Sequence, residues 1–198
     1  QQCFQDAKVE ELDVSRWDVS NATSINALFG GCSKVKELDV SKWDVSGISD
    51  IRCFGNCQSI TKLDVKNWDI SGTTDISGLF SGCRSLTDID VSNWQTGHIV
   101  KMNNVFDSCY ALEYVDLSNW DTCNVTTMSG MFWLCRKLKS IGDVSAWNVS
   151  NVTTMSGMFH PCNSLRELNI ENWDVSNVTN MNGMMQDCPA PRPSWYRG

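Results

Sequence analysis

Apolar and polar residues recur in a fixed order along the chain. One unit places Leu86, Ile89, Val91 and Trp94 in the pattern LxxLxVxxW. The alternation at 89–91 turns two apolar side chains inward and one acidic side chain outward, which is the period of a β-strand. A turn-rich stretch of Asp, Ser, Asn and Gly follows the Trp. A small polar residue then opens the pattern SGMFxxC, whose apolar positions fit one helical turn.

Tryptophan and cysteine give this unit its period. Seven of the nine Trp residues follow one another at intervals of 25 to 27 residues, and seven of the ten Cys residues keep nearly the same step. Self-similarity at that period is typical of stacked repeats, in which each unit buries its apolar side against its neighbours. The predicted structural ladder is Trp17, Trp43, Trp68, Trp94, Trp120, Trp147, Trp173, Cys32, Cys57, Cys83, Cys109, Cys135, Cys162 and Cys188.

The repeat divides the chain into three parts. We predict an N-terminal extension at 1–7, a seven-coil solenoid at 8–189 and a Pro-rich tail at 190–198. Because proline cannot continue a sheet, the tail is expected to stop edge pairing, with Trp195 covering the last coil. Solenoids normally need caps, and both ends are short. Two interpretations stay open, a segment of a longer surface protein or an assembly through open ends.

Two segments carry a resemblance to a known family. They are NWDVSNVTNMNGMMQDC at 172–188 and SNWDTCNVTTMSGMFWLCRKL at 118–138. Both resemble the BspA-like leucine-rich repeats, the 26-residue repeat of bacterial lipoproteins and surface proteins, and the match extends over about 8–189. The resemblance implies a leucine-rich-repeat-like α/β solenoid with one short parallel strand and one short helical turn per coil. It also implies an extracellular or cell-surface location and an adhesion role, and it names no ligand.

Charge and hydropathy exclude two classes of protein. The formal net charge of −7 and pI near 4.7 argue against a nucleic-acid partner, which needs clustered Lys and Arg. No apolar run approaches the length of about 20 residues that spans a bilayer. The remaining partners are a protein or glycan on a cell surface or matrix, or copies of the chain itself.

An acidic column follows from the repeat, because the Asp between the two inward residues recurs in nearly every coil. Local hydrogen bonds to the following Ser explain it without a partner. A binding face for a cation or a basic partner is the functional alternative. Calcium would fit the oxygen ligands, but the EF-hand spacing is missing, so no cofactor is predicted. The candidate binding face is Glu11, Asp13, Glu37, Asp39, Asp64, Asp88, Asp90, Tyr114, Asp116, Asp143 and Glu167.

The cysteine and asparagine columns each allow two interpretations. The Cys residues occupy an apolar phase and are expected to be buried thiols, with disulfides between coils as the alternative. No zinc-ligand spacing is present.

Five Asn residues begin Asn-x-Ser/Thr, which indicates N-glycosylation in a secreted eukaryotic protein or a ladder of turn amides. The five are Asn21, Asn124, Asn148, Asn151 and Asn177.

Catalysis is not predicted. His98 and His160 are the only histidines, and they lie in different coils and different phases without a nucleophile beside them.

Trp133 and Trp195 stand outside the repeat and are therefore better candidates for contact with a partner than the ladder Trp residues. We predict a non-enzymatic recognition or adhesion module that uses a concave face and loops. The alternative is a structural subunit of an extracellular coat or filament. An interrupted Thr column raises ice binding as a third hypothesis.

Overall fold

Neighbouring coils are joined by isolated parallel β-bridges. The computed structural model describes residues 3–197, and within this range no α-helix and no strand longer than one bridge residue is formed. One line of bridges lies beside the acidic column: Glu37–Lys62, Asp88–Tyr114 and Tyr114–Ser140. A second line lies after the post-Trp loop: Ser24–Asp50, Asp75–Lys101, Lys101–Thr127, Thr127–Thr154 and Thr154–Asn180. The structure is thus a repeat stack, but the expected strand of each coil is reduced to single bridges.

The predicted helical turn is replaced by a chain of tight turns. Within 76–83, the N–H groups of Leu79, Ser81 and Cys83 each bond to the carbonyl three residues back at 3.1 Å. The N–H groups between them, at the even positions, donate to carbonyls of the next coil at 2.7–3.1 Å. An α-helix would need those groups for bonds four residues back. Because the neighbouring coil takes them, the segment cannot close into a helix.

The core consists of aromatic columns that run through the stack. The indole Nε1 of each ladder Trp from Trp43 to Trp173 donates to a backbone carbonyl of the preceding coil at 2.9–3.2 Å. Beside this column runs a Phe column in which successive rings from Phe29 to Phe159 stack at 5.5–6.0 Å. Each repeated aromatic residue therefore both fills the core and fixes the register of neighbouring coils.

The ladder cysteines pack beside the Phe column as free thiols. All ten cysteines, Cys3 included, are unpaired. The Sγ of Cys57 donates to the carbonyl of Phe29 at 3.1 Å, and four other ladder thiols bond in the same way to the preceding coil at 3.0–3.3 Å. The Sγ of Cys32 bonds to the carbonyl of Phe4 in the N-terminal extension at 2.9 Å. Burial raises the pKa of Cys83 and Cys109 well above the usual value for a thiol. These thiols are held protonated, as hydrogen-bond donors.

The two ends of the described chain use the same contacts as the coils. The N–H of Phe4 donates to Leu28 and that of Asp6 to Gly30, at 3.2 and 2.7 Å, in the manner of a coil's turn segment. At the other end, Trp195 donates its Nε1 to the carbonyl of Ile170 at 3.1 Å and continues the Trp column. Gln1, Gln2 and Gly198, which belong to the predicted extension and tail, lie outside the described residues. Within 3–197 no helix is long and apolar enough to cross a membrane.

Candidate binding face

The eleven residues of the predicted face, hereafter the acidic face, all have exposed side chains. Five of its seven Asp residues, all except Asp64 and Asp88, sit in local turns that the sequence D-V-S or D-L-S encodes. At Asp39, Oδ1 accepts the backbone N–H of Ser41 at 3.2 Å and its hydroxyl at 2.7 Å. The Asp13, Asp90 and Asp116 turns repeat both bonds. These bonds orient each carboxylate outward from the same place in its coil.

The same bonds favour the charged form of Asp13, Asp39 and Asp143. The Ser hydroxyls lower the pKa of Asp13 and Asp39, and the Ser145 backbone N–H is the main cause of the lowered pKa of Asp143. Within 3–197, Oδ2 of Asp13 and Asp39 has no protein partner. The local-bond interpretation and the binding interpretation are therefore compatible, since one oxygen holds the turn and the other faces solvent.

Lysines neutralise the acidic face unevenly. Lys66 pairs with Asp90 at 2.7 Å, and this contact together with the Ser92 bonds lowers the pKa of Asp90 to about 2. Lys139 pairs with Glu113 at 2.6 Å, and its Nζ also lies 5.4 Å from the centre of the Tyr114 ring, which is 53% exposed. Such exposed pairs contribute little stability. Their effect is to neutralise Asp90 of the acidic face and the neighbouring Glu113.

Two grooves lie along the acidic face. A cleft of about 420 Å³ lies at the first two coils, lined by Glu10, Glu11, Leu12, Asp13, Lys36 and Glu37. A second groove of about 350 Å³ lies further along, where Asp88 and Asp90 face Tyr114 and Asp116. Acidic residues outnumber basic ones in both linings, so both grooves favour a cationic group.

The five sequon asparagines lie in the turns that follow a ladder Trp. Three sequon amides, those of Asn124, Asn151 and Asn177, donate Nδ2 to a carbonyl of the preceding coil at 2.6–2.7 Å. This is the geometry of the turn-ladder interpretation. Asn148 instead accepts the Ser150 N–H and hydroxyl through Oδ1. Among the described residues, Asn21 makes only a long 3.5 Å bond to the hydroxyl of neighbouring Ser20.

The two histidines do not come together. The Nε2 of His98 lies 2.9 Å from the carbonyl of Ile70, and the Nδ1 of His160 lies 2.8 Å from that of Gln186. Both rings are thus bonded to the backbone of neighbouring coils. Within 3–197 no group of three or more His, Cys, Asp or Glu side chains is arranged to hold a metal ion.

Sequence reasoning missed a second column of Asp turns. It follows the ladder Trp, where Asp18 and Asp44 bond to Ser20 and Ser46 as in the acidic face. The signal was present, because D-V-S occurs on both sides of the Trp. The Thr column also has a structural role, since the Thr153 hydroxyl donates to a carbonyl of the preceding coil at 3.1 Å.

Comparison with known proteins bears on the family. Solved leucine-rich repeat proteins from Eubacterium ventriosum and Bacteroides ovatus are each 15% identical, with TM-scores of 0.49 and 0.41. They cover 90% and 83% of this chain, which spans only 44% and 51% of theirs. A leucine rich cell surface protein from Faecalibacterium prausnitzii is 13% identical with a TM-score of 0.25, over 81% of this chain and 76% of its own. No curated protein matches.

A family model also matches this chain, and its description differs from that of the BspA-like repeats, which the sequence pattern resembles. Three overlapping segments match it, at residues 1–54, 51–142 and 101–192. Together they extend over nearly the whole chain. The chain therefore belongs to the DUF285 family, described as Mycoplasma protein of unknown function.

Proposed function

We propose that this chain is a non-enzymatic recognition module at the cell surface, and that its acidic face binds a basic segment of a partner protein. The observation that carries the proposal is the row of exposed carboxylates, five of which are held outward by a bond to the Ser two residues later. Asp13 and Asp39 each keep one oxygen without a protein partner within 3–197, so a Lys or Arg of the partner can bond to it without breaking the turn.

The spacing of the face supports an extended partner. Parallel-bridged coils are about 4.8 Å apart, so the face offers about one carboxylate per 4.8 Å along the stack. A cationic partner would be attracted over a distance limited by the Debye length, about 8 Å at physiological salt. The BspA-like pattern of the repeats supports the surface location. Affinity is expected to fall with salt, since the contacts are exposed ion pairs.

Neutral substitutions at the acidic face test the proposal. The triple variant Asp13→Asn, Asp39→Asn, Asp116→Asn removes three charges and keeps the turns, because Asn148 already makes the same two bonds to Ser150. Binding to immobilised polylysine and to arrayed basic peptides is measured by surface plasmon resonance at low and high salt. The variant should lose about tenfold in affinity at low salt.

A matched control removes the same charge elsewhere. Asp18→Asn, Asp44→Asn, Asp174→Asn changes three turns of the second Asp column, which lies after the Trp. Equal loss in both triple variants would refute a localised face and leave net charge as the cause. A concentration-dependent mass in light scattering, abolished by neither variant, would instead favour the coat or filament alternative.

A further inference from the structure

The turn segments form a second face, distinct from the acidic face. It is defined by the residue after the Phe-column position in each coil: Gly30, Gly55, Ser81, Asp107, Trp133, His160 and Gln186. The carbonyl of each one from Gly55 to His160 accepts a backbone N–H of the preceding coil at 2.6–2.8 Å. These bonds align the residues along the stack, and we call this surface the turn face.

Trp133 differs from the ladder tryptophans. Its side chain is 39% exposed, and within 3–197 its indole N–H has no hydrogen-bond partner, whereas the ladder residues from Trp43 to Trp173 all donate to a carbonyl. One side of the ring lies on Gly157, where an added Cβ would overlap it. The His160 ring meets it edge-on at 4.8 Å. Trp133 is therefore a fixed aromatic platform with a free donor at its edge.

A notch opens three coils away on the same face. Coil two lacks one residue, since Ile51 and Phe54 are three apart whereas Ile76 and Phe80 of the next coil are four apart. The missing residue leaves a cavity of about 600 Å³. Its lining includes four glycines and one carboxylate, that of Asp6, which also disfavours an anion. The other polar lining residues are Gln5, Asn26, Ser33, Arg52, Asn56, Gln58 and Ser77.

The polar groups of the notch define its ligand chemistry. Arg52 is held by two bonds to Asp50 at 2.7 and 2.8 Å and lies 3.6 Å from Asp75, so its charge is compensated and an anion is disfavoured. The Ser77 hydroxyl is buried without a partner within the described residues. The amides of Asn56 and Gln58 offer both donors and acceptors. Ala27 is the one apolar side chain in the lining, which gives no pocket for an apolar side chain of a peptide.

We propose that the turn face binds a neutral, linear oligosaccharide, with Trp133 as the stacking subsite and the notch as the polar subsite. A β-linked pyranose presents a flat C–H surface to an indole ring and hydroxyl groups at its edge. The three coil steps from Gly55 to Trp133 correspond to about 14 Å at about 4.8 Å per coil, or roughly three sugar units. This inference does not depend on the proposed function of the acidic face.

The test uses β-1,4-linked glucose and N-acetylglucosamine oligomers of increasing length, titrated calorimetrically into the intact chain. Affinity should rise with length until the oligomer reaches both subsites. Trp133→Ala should raise Kd at least about tenfold for the best oligomer, and Trp133→Phe should retain part of the affinity because it keeps a ring. A sulfated oligosaccharide of equal length should bind more weakly.

A substitution that fills the notch, compared with a control substitution elsewhere in the same coil, tests the polar subsite. Gly55 has open space beside it, because a Cβ added there would meet only the Gly78 carbonyl oxygen, at 3.9 Å, so Gly55→Gln fills the notch without strain. Gly47 of the same coil is equally open and lies in the post-Trp loop, so Gly47→Gln is the control. Gly55→Gln should weaken the binding only of oligomers long enough to reach the notch.

Three results would overturn the proposal. They are no binding of any neutral oligomer, unchanged affinity in Trp133→Ala, or equal effects of Gly55→Gln and Gly47→Gln. Because Asp13→Asn and Asp39→Asn leave the turn face intact, oligosaccharide binding by those variants separates a failure here from a failure of the proposed protein recognition.

Discussion

The Trp column offers a direct test of what holds neighbouring coils in register. In Trp94→Phe, the indole bond to the carbonyl of Val65 at 2.9 Å is lost from a ring that is 1% exposed. In the variant the Val65 carbonyl still accepts the backbone N–H of Trp68, so it is not left without a hydrogen bond. Loss of the indole bond should therefore lower the free energy of unfolding by about 1 kcal/mol rather than by a full desolvation penalty. The smaller ring leaves a cavity of on the order of 40 Å³, which lowers the free energy of unfolding by about 1 kcal/mol at about 24 cal/mol per Å³. We therefore expect a destabilisation of about 2 kcal/mol.

Trp17→Phe is the matched control for this prediction. Trp17 is partly buried, and its Nε1 makes no hydrogen bond within 3–197, so the same substitution should cost well under about 1 kcal/mol. Both variants are unfolded with urea under reducing conditions and followed by far-UV circular dichroism, because fluorescence would change with the Trp count. Equal costs at the two positions, with equal slopes, would refute the assignment of a register role to the indole bonds.

Three further predictions follow from the thiols, the carboxylates and the turn glycines. At pH 8, Ellman's reagent should label exposed Cys3 in the folded chain but Cys109 only after unfolding, because burial raises the pKa of Cys109; rapid labelling of Cys109 would contradict this. The pKa of Asp90 falls from about 3.9 in an unfolded chain to about 2, so its stabilisation is present above pH 4 and lost as pH falls towards 2. The stability difference between the native chain and Asp90→Asn in urea titrations should shrink over that range, and a constant difference would refute it. Gly157→Ala should cost about 1–2 kcal/mol because φ is +62°, and it should displace Trp133, seen as a lower melting temperature and altered fluorescence; an unchanged spectrum would count against the platform.

The turn segment at 76–83 shows a feature that the sequence pattern alone does not predict. Apolar residues such as Ile76, Leu79, Phe80 and Cys83 occupy positions that suit a helical turn as well as a chain of overlapping β-turns. The choice depends on where alternate N–H groups find acceptors, and those acceptors belong to the next coil. Local periodicity contains no information about that neighbour, so the expected helical turn is not confirmed, whereas the expected burial of these residues is confirmed.

Trp195 and the notch are two further features that the sequence pattern alone does not predict. Trp195 follows Trp173 by 22 residues and lies outside the period, yet it bonds to Ile170 as ladder Trp residues bond to their preceding coils. The one-residue shortening before Phe54 is visible in the sequence, but only the packed coils turn it into a cavity. Both effects arise because a side chain reaches a neighbouring coil through space rather than at a fixed sequence interval.

The sequence by itself determined the period and which residues share a column, because a repeated pattern in a stack must place equal positions above one another. It also determined that the Asp column faces outward, since alternation about the buried Leu and Val leaves no other side. Only the tertiary structure decided how the columns are bonded. Backbone and indole N–H groups have several acceptors within reach, and which of them accepts depends on the geometry of the adjoining coil.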